Sequence, residues 1–393
     1  MIVDSFFPRK IKAALKNEPP GMWMPNLPDK CIRLSSGYPA PALIPTEELK
    51  AAVVNLLEEE HDLPLHYLGS PKIAKLKEKI LKKLAERDIH VSGEELLMTS
   101  GACQAIDLIA RVLLDDETFV IVESPTYMEA LEIFKNYTQR FISIPIDQHG
   151  LQTDQLERVL EERRGKGLAL PRLLYTIPTF HNPTGTTMSA ERRQHVLDLA
   201  VKYNFLILED DAYGELGFEK SPLPLKAIDN DGPVIHIGSL SKTVAPGMRI
   251  GWVAGAREFI TACSWFKKDL NPSFTQATMA VFLDKTNYEE RLKLLRNTYH
   301  DKCDVLISAM EKFLPEYVSW FVPKGGYFVW IKIRGVDTSL LLNRALSAGV
   351  SFVPGKHFFL NQKHGNEYLR LSFSYADKND IVKGIRILGN LLM

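Results

Sequence analysis

The sequence predicts an α/β fold built on a mainly parallel sheet, and three observations predict it. Short runs rich in Val, Ile, Leu and Phe recur between stretches of helical length, the spacing of strand–helix–strand units. Those runs are nearly continuous in apolar residues, as strands covered on both faces are. The residues able to do chemistry stand just past the end of such a run, where open parallel sheets bind their ligands.

The whole-chain numbers set bounds on this. A length of 393 residues exceeds one ordinary domain, so two units, or one large unit and one discontinuous small one, are expected. A hydrophobic fraction of 45% with 24% charged residues can bury a substantial core. Lys plus Arg and Asp plus Glu both number 48, which gives no electrostatic reason to expect nucleic acid or an acidic membrane surface as partner. Cys31, Cys103, Cys263 and Cys303 are scattered without metal-ligand spacing, so no metal is expected and reduced thiols of a cytoplasmic protein are the default. No apolar run reaches membrane-spanning length and the N-terminus lacks the apolar core of a signal peptide. No DNA-binding winged helix is expected ahead of Gly37.

Taken in order, residues 6–29 are polar and broken by Pro8, Pro19, Pro20, Pro25 and Pro28, which predicts a short helix and then irregular chain. Residues 32–39 read as a strand entering a turn at Gly37. Pro45-Thr46-Glu47-Glu48 opens a helix with carboxylates at its positive end, running to about Glu60. A second helix puts Ile73, Leu76, Ile80, Leu81 and Leu84 on one face, and its six lysines between 72 and 83 read as a solvated side. Residues 96–99 are a strand that passes through Gly101 into an apolar helix, a turn that aims free backbone N–H groups at an anion above the helix start. Strands follow at 119–123, ending in Pro125-Thr126-Tyr127, and at 141–145. A helix from about 153 to 164 and a strand at 173–177 lead into the turn Asn182-Pro183-Thr184-Gly185.

Residues 205–208 form an apolar strand that runs into Glu209-Asp210-Asp211 and Tyr213. Acids at a strand end suit either a protonated ring nitrogen or a magnesium ion, and no second acidic cluster supports the metal. The run 233–238 is another buried strand, followed by Ser239-Leu240-Ser241-Lys242, with Arg249 seven positions beyond the lysine. Hydroxyls and an arginine can hold a phosphate, and a lysine of lowered pKa can form an imine with an aldehyde. A long helical region then extends from about 257 towards 312 with one break at Asn271-Pro272, followed by strands at 325–331 and 368–374. Arg370 lies amid apolar residues of the last strand and needs a partner, which could be an internal carboxylate.

The segment Ser239-Leu240-Ser241-Lys242, followed by Ala245-Pro246-Gly247-Met248-Arg249-Ile250-Gly251-Trp252, resembles the lysine-bearing segment of class I/II aminotransferases of fold type I, which use pyridoxal 5'-phosphate. The resemblance extends from about Ile32 onward and is nearest the 2-aminoadipate and aromatic aminotransferase group. It implies a large cofactor-binding domain at 51–284 with a sheet of the seven-stranded type. A smaller α+β domain would comprise 285–393 together with part of 1–50, whose remainder is an N-terminal arm.

The resemblance further implies a Schiff base at Lys242 and a cofactor phosphate held by Ser239, Ser241, Arg249 and the backbone of Ala102 and Cys103. Tyr127 would stack on the ring, Asp210 would serve the ring nitrogen, and Asn182 and Tyr213 the phenolic oxygen. Arg370 would clamp the substrate α-carboxylate, with Gly37 beside the substrate. Tyr67 matches a tyrosine that reaches the cofactor phosphate of a partner subunit, which implies a homodimer, although Leu68, Lys72 and Lys77 replace two glycines and an arginine of the family pattern. The implied reaction moves an amino group between an α-amino acid and a 2-oxoacid. A β-lyase, decarboxylase or racemase on the same scaffold, or a sensor that binds the cofactor without turnover, are the alternatives. Arg9, Lys10 and Lys12 could meet an acidic substrate side chain, and Trp23 an aromatic one.

Overall fold

The computed structural model describes residues 3–16, 19, 21, 27–268 and 271–393. Its centre is an eight-stranded sheet in the order Leu96–Thr99, Gly251–Ala254, Val234–Ser239, Leu206–Asp210, Leu173–Thr176, Val120–Ser124, Phe141–Asp147 and Gly150–Leu151. The five strands from Val234–Ser239 to Phe141–Asp147 are mutually parallel. The eighth strand adds only two residues to the expected seven, hairpinned onto Phe141–Asp147. Side-chain alternation divides the core into two layers. Val122, Tyr175, Leu208 and Ile237 face the helices Ala102–Leu113, Met128–Lys135 and Arg257–Phe266, whereas Ile121, Leu174, Ile207 and Val234 face Thr153–Gly165 and Ala190–Tyr203. The strands are therefore apolar on both sides, which is why they read as unbroken runs.

One strand breaks the parallel pattern. Gly251–Ala254 runs antiparallel between Leu96–Thr99 and Val234–Ser239, with Gly251 opposite both Thr99 and Ser239. The chain that leaves the sheet at Ser239 thus returns beside its own exit. The ends of three strands, and the loops bearing Gly101, Lys242 and Arg249, meet at one edge.

A second sheet of four antiparallel strands, Val318–Trp320, Phe328–Ile333, Tyr368–Ser372 and Val353–Pro354, shares a core with the helices Tyr288–Phe313 and Lys378–Leu392. The strand expected at 32–39 is two residues long: Ile32–Arg33 pairs in parallel with Val350–Ser351. Beyond it the chain stays bound to the second sheet, because Ser372 N donates to Leu34 O at 2.7 Å.

Two expectations need correction. The long helical region is three helices, Arg257–Phe266, Ser273–Lys285 and Tyr288–Phe313. Its second break falls at Thr286-Asn287, where the Asn287 side chain caps the third helix by accepting from Glu290 N at 3.2 Å. The lysines of Lys72–Ala85 are not uniformly solvated either. Lys75 and Lys82 are exposed, but Lys83 is buried on Glu215 and also donates to Tyr288 Oη at 3.0 Å, while Lys79 pairs with Asp284. Their acidic partners lie far away in sequence, so helical spacing alone does not reveal them. Among the described residues, no helix is long and apolar enough to cross a membrane.

Candidate active site

The loops at the sheet edge enclose a cavity of about 240 Å3 lined by Ala102, Cys103, Tyr127, Asn182, Asp210, Tyr213, Ser239, Ser241, Lys242 and Arg249 among others. Segments separated by more than a hundred residues thus meet in one space. An adjoining chamber of about 110 Å3 adds Ser35, Ser36, Gly37, Phe328 and Arg370.

At one end the helix Ala102–Leu113 starts against the cavity, and its first backbone N–H groups have no preceding carbonyl of the helix to bind. Gly101 precedes it with φ at +90°, and a Cβ there would come within 2.6 Å of Arg249 Nη2, so the close approach of the guanidinium requires glycine. Arg249 itself adopts left-handed backbone, φ +51°, and donates to Ser100 O at 2.8 Å. Ser239 Oγ donates to Ile250 O at 3.1 Å and accepts from Ser241 N at 3.0 Å, which locks the hydroxyl pair between the two antiparallel strands. Backbone N–H groups, two hydroxyls and one guanidinium converge here, a donor set suited to a phosphate dianion.

In the middle, Lys242 Nζ donates to Gly37 O at 2.9 Å, and Tyr327 Oη donates to Lys242 O at 2.8 Å. Burial outweighs the nearby Glu129 carboxylate and lowers the Lys242 amine to about 8, with Arg370 adding to the decrease. A Cβ on Gly37 would lie 2.9 Å from the Phe328 ring, so its carbonyl can approach the lysine only because the residue is glycine.

Asp210 lies at the floor, at the last position of its strand. Tyr175 Oη donates to its Oδ2 at 2.8 Å, while Oδ1 is buried with no hydrogen-bond partner. Burial raises its carboxyl to about 6, against the Tyr175 hydrogen bond. The three successive acids separate by direction. Glu209 accepts from Leu225 N and Lys226 N and lies 3.1 Å from His236 Nδ1, and Asp211 is taken by Arg87, so only Asp210 faces the cavity.

At the far end Arg370 is buried, donating to Asn182 Oδ1 at 2.8 Å and to Ser35 O at 3.0 Å, with Nε unpaired. No carboxylate pairs with it among the described residues, so the internal ion pair considered from sequence is not formed. Burial lowers the guanidinium to about 10. Tyr213 is buried edge-on to Tyr327 and Phe328 at 5.4 and 5.6 Å. The Asn182 loop is braced by its neighbour: His181 Nδ1 is hydrogen-bonded to Thr184 Oγ1 at 2.9 Å, and Nε2 lies 3.0 Å from Glu123 Oε2, a carboxylate oxygen that accepts from Ile177 N at 2.9 Å.

Residues 29–387 match the family model described as aminotransferase class I and II. The chain belongs to that family. Among curated relatives, aromatic-amino-acid aminotransferase 1 of Thermococcus litoralis is 36% identical over 92% of this chain and 88% of its own length. Among solved structures, a multiple substrate aminotransferase from Thermococcus profundus superposes with a TM-score of 0.89 at 36% identity, covering 100% of this chain and 98% of the other. The α-aminoadipate aminotransferase of Thermus thermophilus, solved with N-(5'-phosphopyridoxyl)-L-leucine, gives 0.88 at 31% identity, covering 100% and 98%.

This chain is accordingly a fold type I aminotransferase with pyridoxal phosphate as cofactor. The site fits that cofactor on its own geometry: an anion cradle at one end, a buried amine of lowered pKa in the middle, and an unpartnered carboxylate oxygen at the floor.

The structure brings together all the site residues named from sequence except Tyr67, whose side chain is 84% exposed. Lys12 lies 3.8 Å from Asp4 at the surface; the side chains of Arg9 and Lys10, and Trp23, fall outside the described residues. Sequence reading missed Glu129, Tyr175 and Ser35. Tyr175 sits in the strand beside that of Asp210 and was detectable only once their parallel pairing was known.

Proposed function

We propose that this aminotransferase exchanges the amino group of an α-amino acid for the oxygen of a 2-oxoacid through Lys242, with Arg370 orienting the substrate. One observation carries the reading: Asp210 Oδ1 and Arg370 Nε are buried without a hydrogen-bond partner, and Lys242, which lines both adjoining cavities, stands between the one that Asp210 lines and the one that Arg370 lines. Ser239, Ser241, Arg249 and the N–H groups of Ala102 and Cys103 would hold the phosphate, and Tyr127 would cover the ring. Asn182 and Tyr213 would position its phenolic oxygen. Bound pyridoxal phosphate supplies a conjugated electron sink for the substrate Cα.

The protein residues perform the remaining work. Asp210, anionic at neutral pH because that is above about 6, would keep a proton on the ring nitrogen of a cofactor bound against it. Lys242, partly unprotonated near pH 8, can take a proton from Cα and return one as general base and acid. Arg370 offers a bidentate fork to the α-carboxylate, whose arrival would give its buried charge a counter-ion.

The test is amino-group transfer from a panel of L-amino acids to 2-oxoglutarate by the cofactor-loaded protein. A new amino acid should form only when donor and acceptor are both present. Ammonia release without an oxoacid would overturn the reading in favour of elimination. In the same assay Arg370→Ala should raise KM for the donor at least about 10-fold, the scale of a lost buried charge pair, and more than it lowers kcat. An unchanged KM would remove Arg370 from carboxylate recognition.

We further propose a cytoplasmic homodimer in which Tyr67 completes the partner's site. In support, Leu65, Tyr67 and Leu68 are 67%, 84% and 66% exposed and form an apolar loop that a second copy would cover. The proposed division keeps a large unit and a C-terminal unit. The helix Thr46–Glu60 spans the expected boundary at residue 50 and packs on Ser273–Lys285, which favours a boundary just before Thr46.

A further inference from the structure

We propose that Glu129 sets donor specificity: its carboxylate receives the cationic end of an α-amino acid with a basic side chain. The inference rests on the reading above, in which Lys242 and Arg370 serve the α-amino and α-carboxylate ends. The chamber in front of Arg370 presents three charged side chains, Lys242, Arg370 and Glu129. Tyr127, Glu129, Asn182, Tyr213 and Lys242 also line the cofactor cavity, so the two spaces adjoin along these residues. Two of the three charges match parts that every α-amino acid has. The third matches only a side chain that carries a positive charge.

The surroundings of Glu129 aim it without neutralising it. Tyr127 Oη donates to Oε2, and Cys103 Sγ donates to the same oxygen at 3.2 Å. Burial and the Glu129 carboxylate push the Cys103 thiol up to about 12, so it remains a donor across the physiological range. Neither donor is charged, and among the described residues no cation lies within 4.0 Å of the Glu129 carboxylate, Lys242 being the nearby charge. Its place in the first turn of Met128–Lys135 favours an anion. That accounts for a carboxylate at this helical position, but not for one bordering the substrate chamber. An acidic donor would be repelled there, and a neutral one would offer the carboxylate no cation.

The experiment titrates the cofactor-loaded protein with L-lysine and with L-norleucine, which lacks only the terminal amine, and follows the visible absorbance of the cofactor. L-Lysine should bind at least about 10-fold more tightly to the unaltered protein, and in Glu129→Gln the ratio should fall to within about threefold. Equal or tighter binding of L-norleucine to the unaltered protein overturns the inference, a result independent of how the variant folds. A Glu129→Gln protein that weakens both ligands by the same factor also overturns it, because the residue would then only support the site. A response to L-norleucine without preference for L-lysine leaves transamination standing, whereas no response to either amino acid removes both readings.

Discussion

Lys242→Ala should lose at least about 10⁴-fold in turnover, because under the proposed function it removes both the amine that would hold the cofactor and the group that would move the proton. Amino-group transfer measured with saturating cofactor checks this, and near-normal activity would sink the assignment. The fold should survive, because the Lys242 side chain donates one hydrogen bond, to Gly37 O. Its ionisation argues the same way. The folded amine titrates near 8 against an ordinary 10.5, so folding gives up a proton between those values and the charged lysine opposes folding at lower pH. Stability from this group therefore rises with pH from about 8 to 10.5. Without cofactor, the alanine variant should melt no lower than the parent at pH 7, and any advantage should shrink above pH 10.

Asp210→Asn should lower kcat by about 10²-fold or more, because asparagine could not keep protonated the ring nitrogen proposed to lie against Asp210. The same change should stabilise the cofactor-free protein. The Asp210 carboxyl titrates near 6 when folded and 3.8 by default, so folding takes up a proton between these values and stability falls as pH rises through them. Above pH 6 the full penalty is present, and the neutral side chain should recover about 1–2 kcal/mol of it. Thermal melts of the cofactor-free proteins at pH 7.5 and pH 4 check this: a clear gain is expected at the first and little at the second. A variant that is less stable at pH 7.5 would show that the carboxylate is held by the fold rather than kept for a ligand.

The features legible in sequence were those set by local pattern. Residues 205–210 announce a buried strand with acids at its end because apolar side chains fill both faces before the sheet stops. The turn at Gly101 and the hydroxyl-lysine segment after Ser239 were legible for the same reason, since strand ends in a parallel sheet all open to one side. Features made by distant pairs were not. Glu129 lies in Met-Glu-Ala-Leu-Glu, which reads as any helical surface, and only the packing of Tyr127 and Cys103 turns it inward. Lys83 looks like its exposed neighbours until Glu215 arrives from 132 residues away. Asp210 and Asp211 are chemically alike and adjacent; the structure separates them by giving Arg87 to one and the cavity to the other.

The antiparallel return of Gly251–Ala254 has a mechanical consequence. Its ladders to both neighbours tie Ser239, the Gly101 turn and Arg249 into one sheet, so the anion cradle can deform only if main-chain pairing is broken. Arg370 and Gly37 belong to the second sheet and to the segment bonded to it. A shift of one sheet against the other would therefore change the distance between Arg370 and Lys242 before it disturbed the ladders beside the cradle.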